Sequence, residues 1–444
     1  MLLDTDEQTL TDLGIFGKGD AGGIYDVYNH THTRGGEAVL AQLFRNPLAD
    51  REAINRRSSI IGNFARMKTV FPFDAVVLDM TEKYLMHADD RQKQASPQGA
   101  LSEKEIHSGV VAVIAFLQSL RTFINREELR GMEVYAPERE EIAALLAAPA
   151  LQPALAEKTK GRLSYTAVTA FDVLFRVRER QKIEQLLAYV YQLDVYLSVA
   201  RVATERKFIF PRALDKGSCT LTLEGVYHPE LKKPVGNTIT MNTGQNLVFL
   251  TGANMAGKST FLRSVSTALY VAHMGFPVAA RSMEFSVMDG MYTTINLPDN
   301  LGIGASHFYA EVLRVKKVAT ELGRGKSLFV LFDELFRGTN VKDAHEATVA
   351  ITNAFAGKKD SLFIISSHIV EAGEDLRQRS NIGFLYLPTR MNGHVPEYTY
   401  TLERGITDDR HGMIIIRNEG ILETLTNGRK SHQKNWTNNH LTAL

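Results

Sequence analysis

The chain is poor in the features that mark secreted, metal-stapled or membrane-spanning proteins. Its 444 residues hold one cysteine, Cys219. That excludes a disulfide framework and a cysteine-based zinc site, and suits a reducing cytosol. Net charge is almost absent: 51 basic against 50 acidic side chains give +1. Any nucleic-acid binding must therefore come from local basic faces. No apolar run approaches the roughly 18 residues expected of a membrane-spanning helix; the longest is Val110 to Leu117. The opening MLLDTDEQTL has no basic segment before a long apolar core, so it does not read as a signal peptide. The expectation is a soluble, cytoplasmic protein of two or three domains with no membrane partner. Proline is missing between Pro153 and Pro211, and glycine between Gly161 and Gly217.

That last gap marks the longest regular feature, Arg162 to about Phe208. Apolar residues Ile183, Leu186, Val190, Leu193, Leu197 and Ala200 follow a heptad-like spacing. As one helix of about 45 residues it would span roughly 65–70 Å. It reads equally as a lever or as a kinked bundle helix. Upstream, residues 1 to about 35 read as an acidic, then glycine-rich irregular entry. Asp50 is placed to cap a helix carrying Ile54, Ile60, Ile61 and Phe64, and Ser102 with Glu105 forms a capping box. Six basic residues, Arg45, Arg51, Arg56, Arg57, Arg66 and Lys68, fit either a solvated helix face or a phosphate-contacting one. From about Cys219, short apolar runs alternate with helical stretches, the texture of a parallel or mixed sheet covered by helices. Asn427 to Leu444 is polar and reads as a disordered tail.

The chemistry concentrates after the apolar run Leu247-Val248-Phe249-Leu250. There Gly252-Ala253-Asn254-Met255-Ala256-Gly257-Lys258-Ser259 matches G-x-x-x-x-G-K-[ST] without a mismatch, and a helix-compatible stretch follows. Strand, glycine loop and helix form a cradle in which backbone N–H groups and a helix N-terminus meet phosphates. Lys258 would reach the β/γ-phosphates and Ser259 would ligate Mg²⁺. A second strand, Leu328 to Phe332, runs into Asp333-Glu334: Asp333 for Mg²⁺, Glu334 to orient and deprotonate the attacking water. A third, Leu362 to Ile365, ends at Ser366-Ser367-His368. His368 either senses the γ-phosphate or caps the chain from Ile369. Between them, a glycine-loosened loop (Leu301 to Ala305) leads to Ser306, at the start of a helix.

Together these residues resemble the MutS family of DNA mismatch-repair ATPases. The matching stretches are TGANMAGKSTFLR at 251–263, GASHFYAEV at 304–312, DELFRGTNVKDA at 333–344 and SSH at 366–368. YHPELKKPVGN at 227–237 is similar to the family's segment beside the adenine pocket, and residues 32–64 to the start of its helical core. The likeness covers at least 32–78 and 165–425. It implies an α/β P-loop ATPase domain with an ABC-like mixed sheet flanked by helices (211–426), preceded by an all-α core and lever domain (1–210). Gly252, Asn254, Met255, Ala256, Gly257, Lys258, Ser259 and Thr260 would hold ATP, with Ser259 and Asp333 on Mg²⁺. Glu334 would activate the water, His368 would be the sensor, and Ser306 would make the contact in trans to the nucleotide of the other subunit. Asp343 falls where the family's loop meets its partner. The resemblance further implies a homodimer, DNA as partner and a DNA repair or recombination role.

Departures accompany the matches. The core-like segment begins near residue 32, leaving no room in this chain for the family's mismatch-binding and connector domains. The adenine-stacking aromatic falls near Pro234-Val235, neither aromatic, and Phe336 replaces a usual glycine. A nucleotide-switched assembly ATPase that holds a protein partner and binds no DNA is the first alternative. A P-loop kinase for a small molecule is the second, disfavoured by the lever helix and the Ser306 loop.

Overall fold

The computed structural model describes residues 1–17, 22–87, 101–158, 163–253, 255–295, 307–392, 395–407 and 420–425. The chain divides into two compact units. One holds Met1–Leu3, Gly14–Ala213 and Tyr270–Ala279; the other holds Asp4–Leu13, Leu214–Leu269 and the chain from Ala280.

The N-terminal region is not an irregular entry. Helix α1 (Glu7–Asp12) is capped by Asp6, whose carboxylate accepts from the Thr9 amide, and α2 (Ile24–Tyr28) follows. Helices this short carry too few turns for periodicity to reveal them.

The first unit is all-helical. After α2 come α3 (Arg34–Arg45), α4 (Arg51–Met67), α5 (Ala75–Met86), α6 (Glu103–Ile124), α7 (Glu127–Arg130), α8 (Ala136–Leu146), α9 (Gln152–Ala156), α10 (Tyr165–Val173) and α11 (Arg180–Arg206). The Asp50 cap and the Ser102/Glu105 box form as their sequences dictate. The long proline-free stretch is two α-helices rather than one, because Leu174–Arg178 widens into a π turn that ends where the Glu179 amide donates to the Leu174 carbonyl (2.8 Å). All six heptad-spaced residues of α11 are buried. The helix packs on α3 and α4. Gly36 permits the first contact, since a Cβ there would collide with the Asp194 carboxylate. That fully buried carboxylate accepts from the His32 amide (3.0 Å), the Thr33 amide (2.9 Å) and the Thr33 hydroxyl (2.8 Å). Helix α6 is long and apolar enough to cross a membrane by composition; Val110, Val113, Ile114, Phe116 and Leu117 are instead buried in this unit.

The second unit is built on a mixed six-stranded sheet. Its strands are β4 (Leu247–Gly252), β6 (Gly290–Thr294), β7 (Leu328–Phe332), β8 (Leu362–Ser366), β9 (Ile382–Leu387) and β12 (Glu403–Arg404), in the order β12-β9-β4-β8-β7-β6. All neighbours are parallel except the edge pair β12–β9. Strands β4, β7 and β8 are buried along their whole length, which is why they read as unbroken apolar runs. A second sheet joins β1 (Arg212–Leu214), β2 (Leu221–Val226), β3 (Asn237–Met241) and β5 (Ser282–Ser286) in the order β1-β5-β2-β3, and β10 (Thr389–Asn392) pairs with β11 (Val395–Tyr398). Helices α12 (Lys258–His273), α13 (His307–Gly323), α14 (Val341–Ala356) and α15 (Val370–Leu376) fill the connections.

Candidate active site

Parallel strands place their C-terminal ends on one edge, and there open α/β sheets bind ligands. Three adjacent strands, β4, β8 and β7, deliver the expected side chains to that edge. Gly257 has φ of 98°, a left-handed backbone that only glycine adopts freely, and α12 starts at the next residue. Lys258 is buried and its ammonium donates to the carbonyls of Gly252 (2.8 Å) and Ala253 (3.1 Å). Burial lowers its pKa, while the charges of Glu334 and Asp333 oppose that shift. Asn254 and Ser306 lie outside the described residues.

The Ser259 hydroxyl donates to one oxygen of Asp333 (2.5 Å) and the Ser366 hydroxyl to the other. Ser366 also accepts from the Glu334 amide (3.1 Å), so one hydroxyl at the end of β8 orients both members of the acidic pair. No role for Ser366 is legible in the sequence alone. Its signal was its place at the end of a buried strand beside the strand that carries the carboxylates. Among the described residues no group of three or more His, Cys, Asp or Glu side chains forms a metal cluster. A hydroxyl and a carboxylate converging beside a phosphate loop nevertheless fit Mg²⁺, which takes hard oxygen donors and usually one or two carboxylates plus substrate phosphates.

Glu334 has its own partners. The His368 Nε2 lies 2.6 Å from its Oε1, and Arg337 donates to the other oxygen at 3.3 Å. The hydrogen bond from His368 is the largest influence on Glu334. It outweighs burial and, with Lys258 and Arg337, brings the carboxyl down to about 2. The His368 side chain does not cap the following helix; the Ile369 amide donates instead to the Ser367 hydroxyl (3.0 Å). Glu334 and Phe336 both have left-handed backbones, with φ of 57° and 63°. Asp343 is engaged by its own helix cap, its carboxylate accepting from the Asn340 side-chain Nδ2 at 2.6 Å.

Beside the loop lies a cavity of about 270 Å³ lined by Tyr227, Val235, Asn237, Gly257, Phe261 and Tyr400, among others. Tyr400 brings an aromatic ring to this cavity, close to the loop: a Cβ built on Gly257 would sit 3.0 Å from it. Asn237 fixes this segment by donating to the Tyr400 carbonyl (2.9 Å) and accepting from the Leu402 amide (2.8 Å). Nothing near Tyr400 in the sequence announces this placement, because its partners come from distant segments.

Residues 8–200 match the family described as MutS domain III and residues 248–435 that described as MutS domain V. The chain belongs to the MutS family. Its second unit is a MutS-type, ABC-like ATPase domain, preceded by the helical domain III. The DNA mismatch repair protein MutS of Streptococcus suis (strain 98HAH33) is 26% identical over 266 residues, covering 57% of this chain and 31% of that protein. The protein of the same description from Persephonella marina is 25% identical over 264 residues (57% and 30%). That from Geobacillus thermodenitrificans is 29% identical over 223 residues (47% and 24%). The aligned stretches thus span less than a third of these relatives.

Proposed function

We propose that the protein hydrolyses ATP to ADP and phosphate in a dimeric head and couples that cycle to DNA. One observation carries the catalytic part: Ser259, Asp333, Glu334 and His368 converge from three neighbouring strands on the edge that also bears Lys258. In this reading Lys258 and the loop amides hold the phosphates, and Ser259 and Asp333 would hold Mg²⁺, which would supply charge neutralisation. Tyr400 stacks on the base.

Hydrogen bonds from His368 and Arg337 and the charge of Lys258 keep Glu334 ionised. An ionised carboxylate at this place orients the attacking water and is open to its proton. That suffices for phosphoryl transfer, whose loose transition state asks little of a base. His368, against the same carboxylate, holds it in place and reports the loss of phosphate. Ser306 completes the partner's site in trans.

DNA enters from the relatives' described roles, with backbone rather than base recognition as the expected mode. A protein partner in place of DNA is favoured by one observation in the helical unit. Arg56 is committed to Glu138 (2.6 Å) and the Val134 carbonyl, and buried Arg57 to the Met274 carbonyl (2.9 Å). Two of the six basic side chains are thus turned to internal work. ATP turnover measured with and without duplex, mismatched and junction DNA across a salt series separates the two. Stimulation that weakens with salt supports DNA, because phosphate contacts release counterions. Flat turnover with no binding at low salt points to the protein partner.

A further inference from the structure

The N-terminal residues 4–12 contribute a buried polar network to the ATPase unit. Asp12 accepts from the Thr293 hydroxyl (3.0 Å) and the Ile295 amide (2.8 Å), at the end of β6. Asp6 caps α1 and also grips α13, pairing with Arg314 and with Lys317 (2.5 Å). Arg314 is almost fully buried. Besides Asp6 it donates to the Thr294 hydroxyl (3.1 Å), the Thr293 carbonyl (2.7 Å) and the Thr9 hydroxyl (3.3 Å). Its fork therefore joins α1, β6 and α13 at one point. Burial would raise the Asp6 pKa, yet its hydrogen bonds to Arg314 and Lys317 hold it well below the usual carboxylate range. The Asp6 carboxylate stays ionised at neutral pH.

Upstream of Arg314, near its start, α13 carries Phe308, whose ring packs on Phe336 with centroids 5.7 Å apart. Phe336 is buried and takes a left-handed backbone that glycine would adopt without strain. The ring contact accounts for a phenylalanine at such a position. Phe336 is two residues after Glu334, in the same turn.

We propose that Asp6 is a positioning residue for Glu334: through Arg314 it fixes α13 on β6, and through the Phe308–Phe336 contact α13 fixes the turn that presents the carboxylate. The inference rests on the hydrolytic reading of Glu334. It gives residues 4–12, remote in sequence from every nucleotide motif, a part in turnover.

The test is a steady-state double-mutant cycle with ATP, with each variant's melting temperature measured alongside. Asp6→Asn keeps an oxygen to cap α1 and loses the charge; kcat should fall about tenfold, the scale of a small misplacement, with KM for ATP held within about twofold. Phe336→Leu should also slow turnover, and adding Asp6→Asn to it should cost little more, because both act through one contact. If Asp6→Asn does not fold, Arg314→Lys, which keeps the charge and loses the fork, takes its place in the same cycle. Wild-type kcat in the folded variants, or fully additive losses, would overturn the inference. Glu334→Gln, assayed in parallel, separates the two failures: normal turnover there would sink the hydrolytic reading itself.

Discussion

His368 and Glu334 share a 2.6 Å hydrogen bond across the ends of neighbouring strands β8 and β7. This contact is the largest influence on the carboxylate, and it has a consequence for pH. A glutamate lowered from 4.5 to about 2 contributes stability that is complete above the unfolded value and is lost as pH falls through the folded one. In His368→Ala the folded pKa should move back toward 4.5, so this contribution should shrink. Melting curves of the two proteins between pH 7 and pH 3 should converge toward the acid end. A constant gap at every pH would contradict the assignment.

The metal assignment predicts a difference between binding and turnover. Asp333→Asn should lose about a hundredfold or more in kcat at saturating Mg²⁺, the scale of a lost electrostatic contact to the reacting phosphate. It should still bind ATP in the presence of a chelator, where Lys258 and the loop amides remain. Mg²⁺-dependent turnover matching wild type would remove Asp333 from the site.

Tyr400 should govern nucleotide affinity and leave chemistry alone. Base–aromatic stacking is worth about 1–3 kcal/mol by alanine substitution, so Tyr400→Ala should raise KM for ATP about tenfold with kcat little changed. Tyr400→Phe should bind nearly as well as wild type. Fluorescent-nucleotide titration reads both; equal affinity in all three proteins would show that the ring does not face the base.

In the helical unit, Asp194→Ala should act on stability alone. It leaves the His32 and Thr33 amides and the Thr33 hydroxyl without their acceptor in a buried place. The expected loss is about 2 kcal/mol or more, seen as a lower urea midpoint.

The features legible in the sequence were those set by local rules. Buried strands read as apolar runs, Asp50 and Ser102 as caps, and the glycine loop by residue type at fixed spacing. The acidic pair and His368 were legible because each follows its strand directly. What escaped depends on distant partners. Tyr400 reaches the loop only through the fold and the Asn237 clamp, and Ser366 matters because β8 lies beside β7. The ion pair of Asp6 with Arg314 joins residues 308 positions apart. The π turn at Leu174–Arg178 was hidden because it leaves the apolar spacing intact on either side.

The central claim is that this chain hydrolyses ATP with Glu334 placing the water. The direct measurement is phosphate release by Glu334→Gln beside ATP binding by the same protein. The account predicts binding within about twofold of wild type and phosphate release lowered by about a hundredfold or more. Release at the wild-type rate, with binding intact, would contradict it.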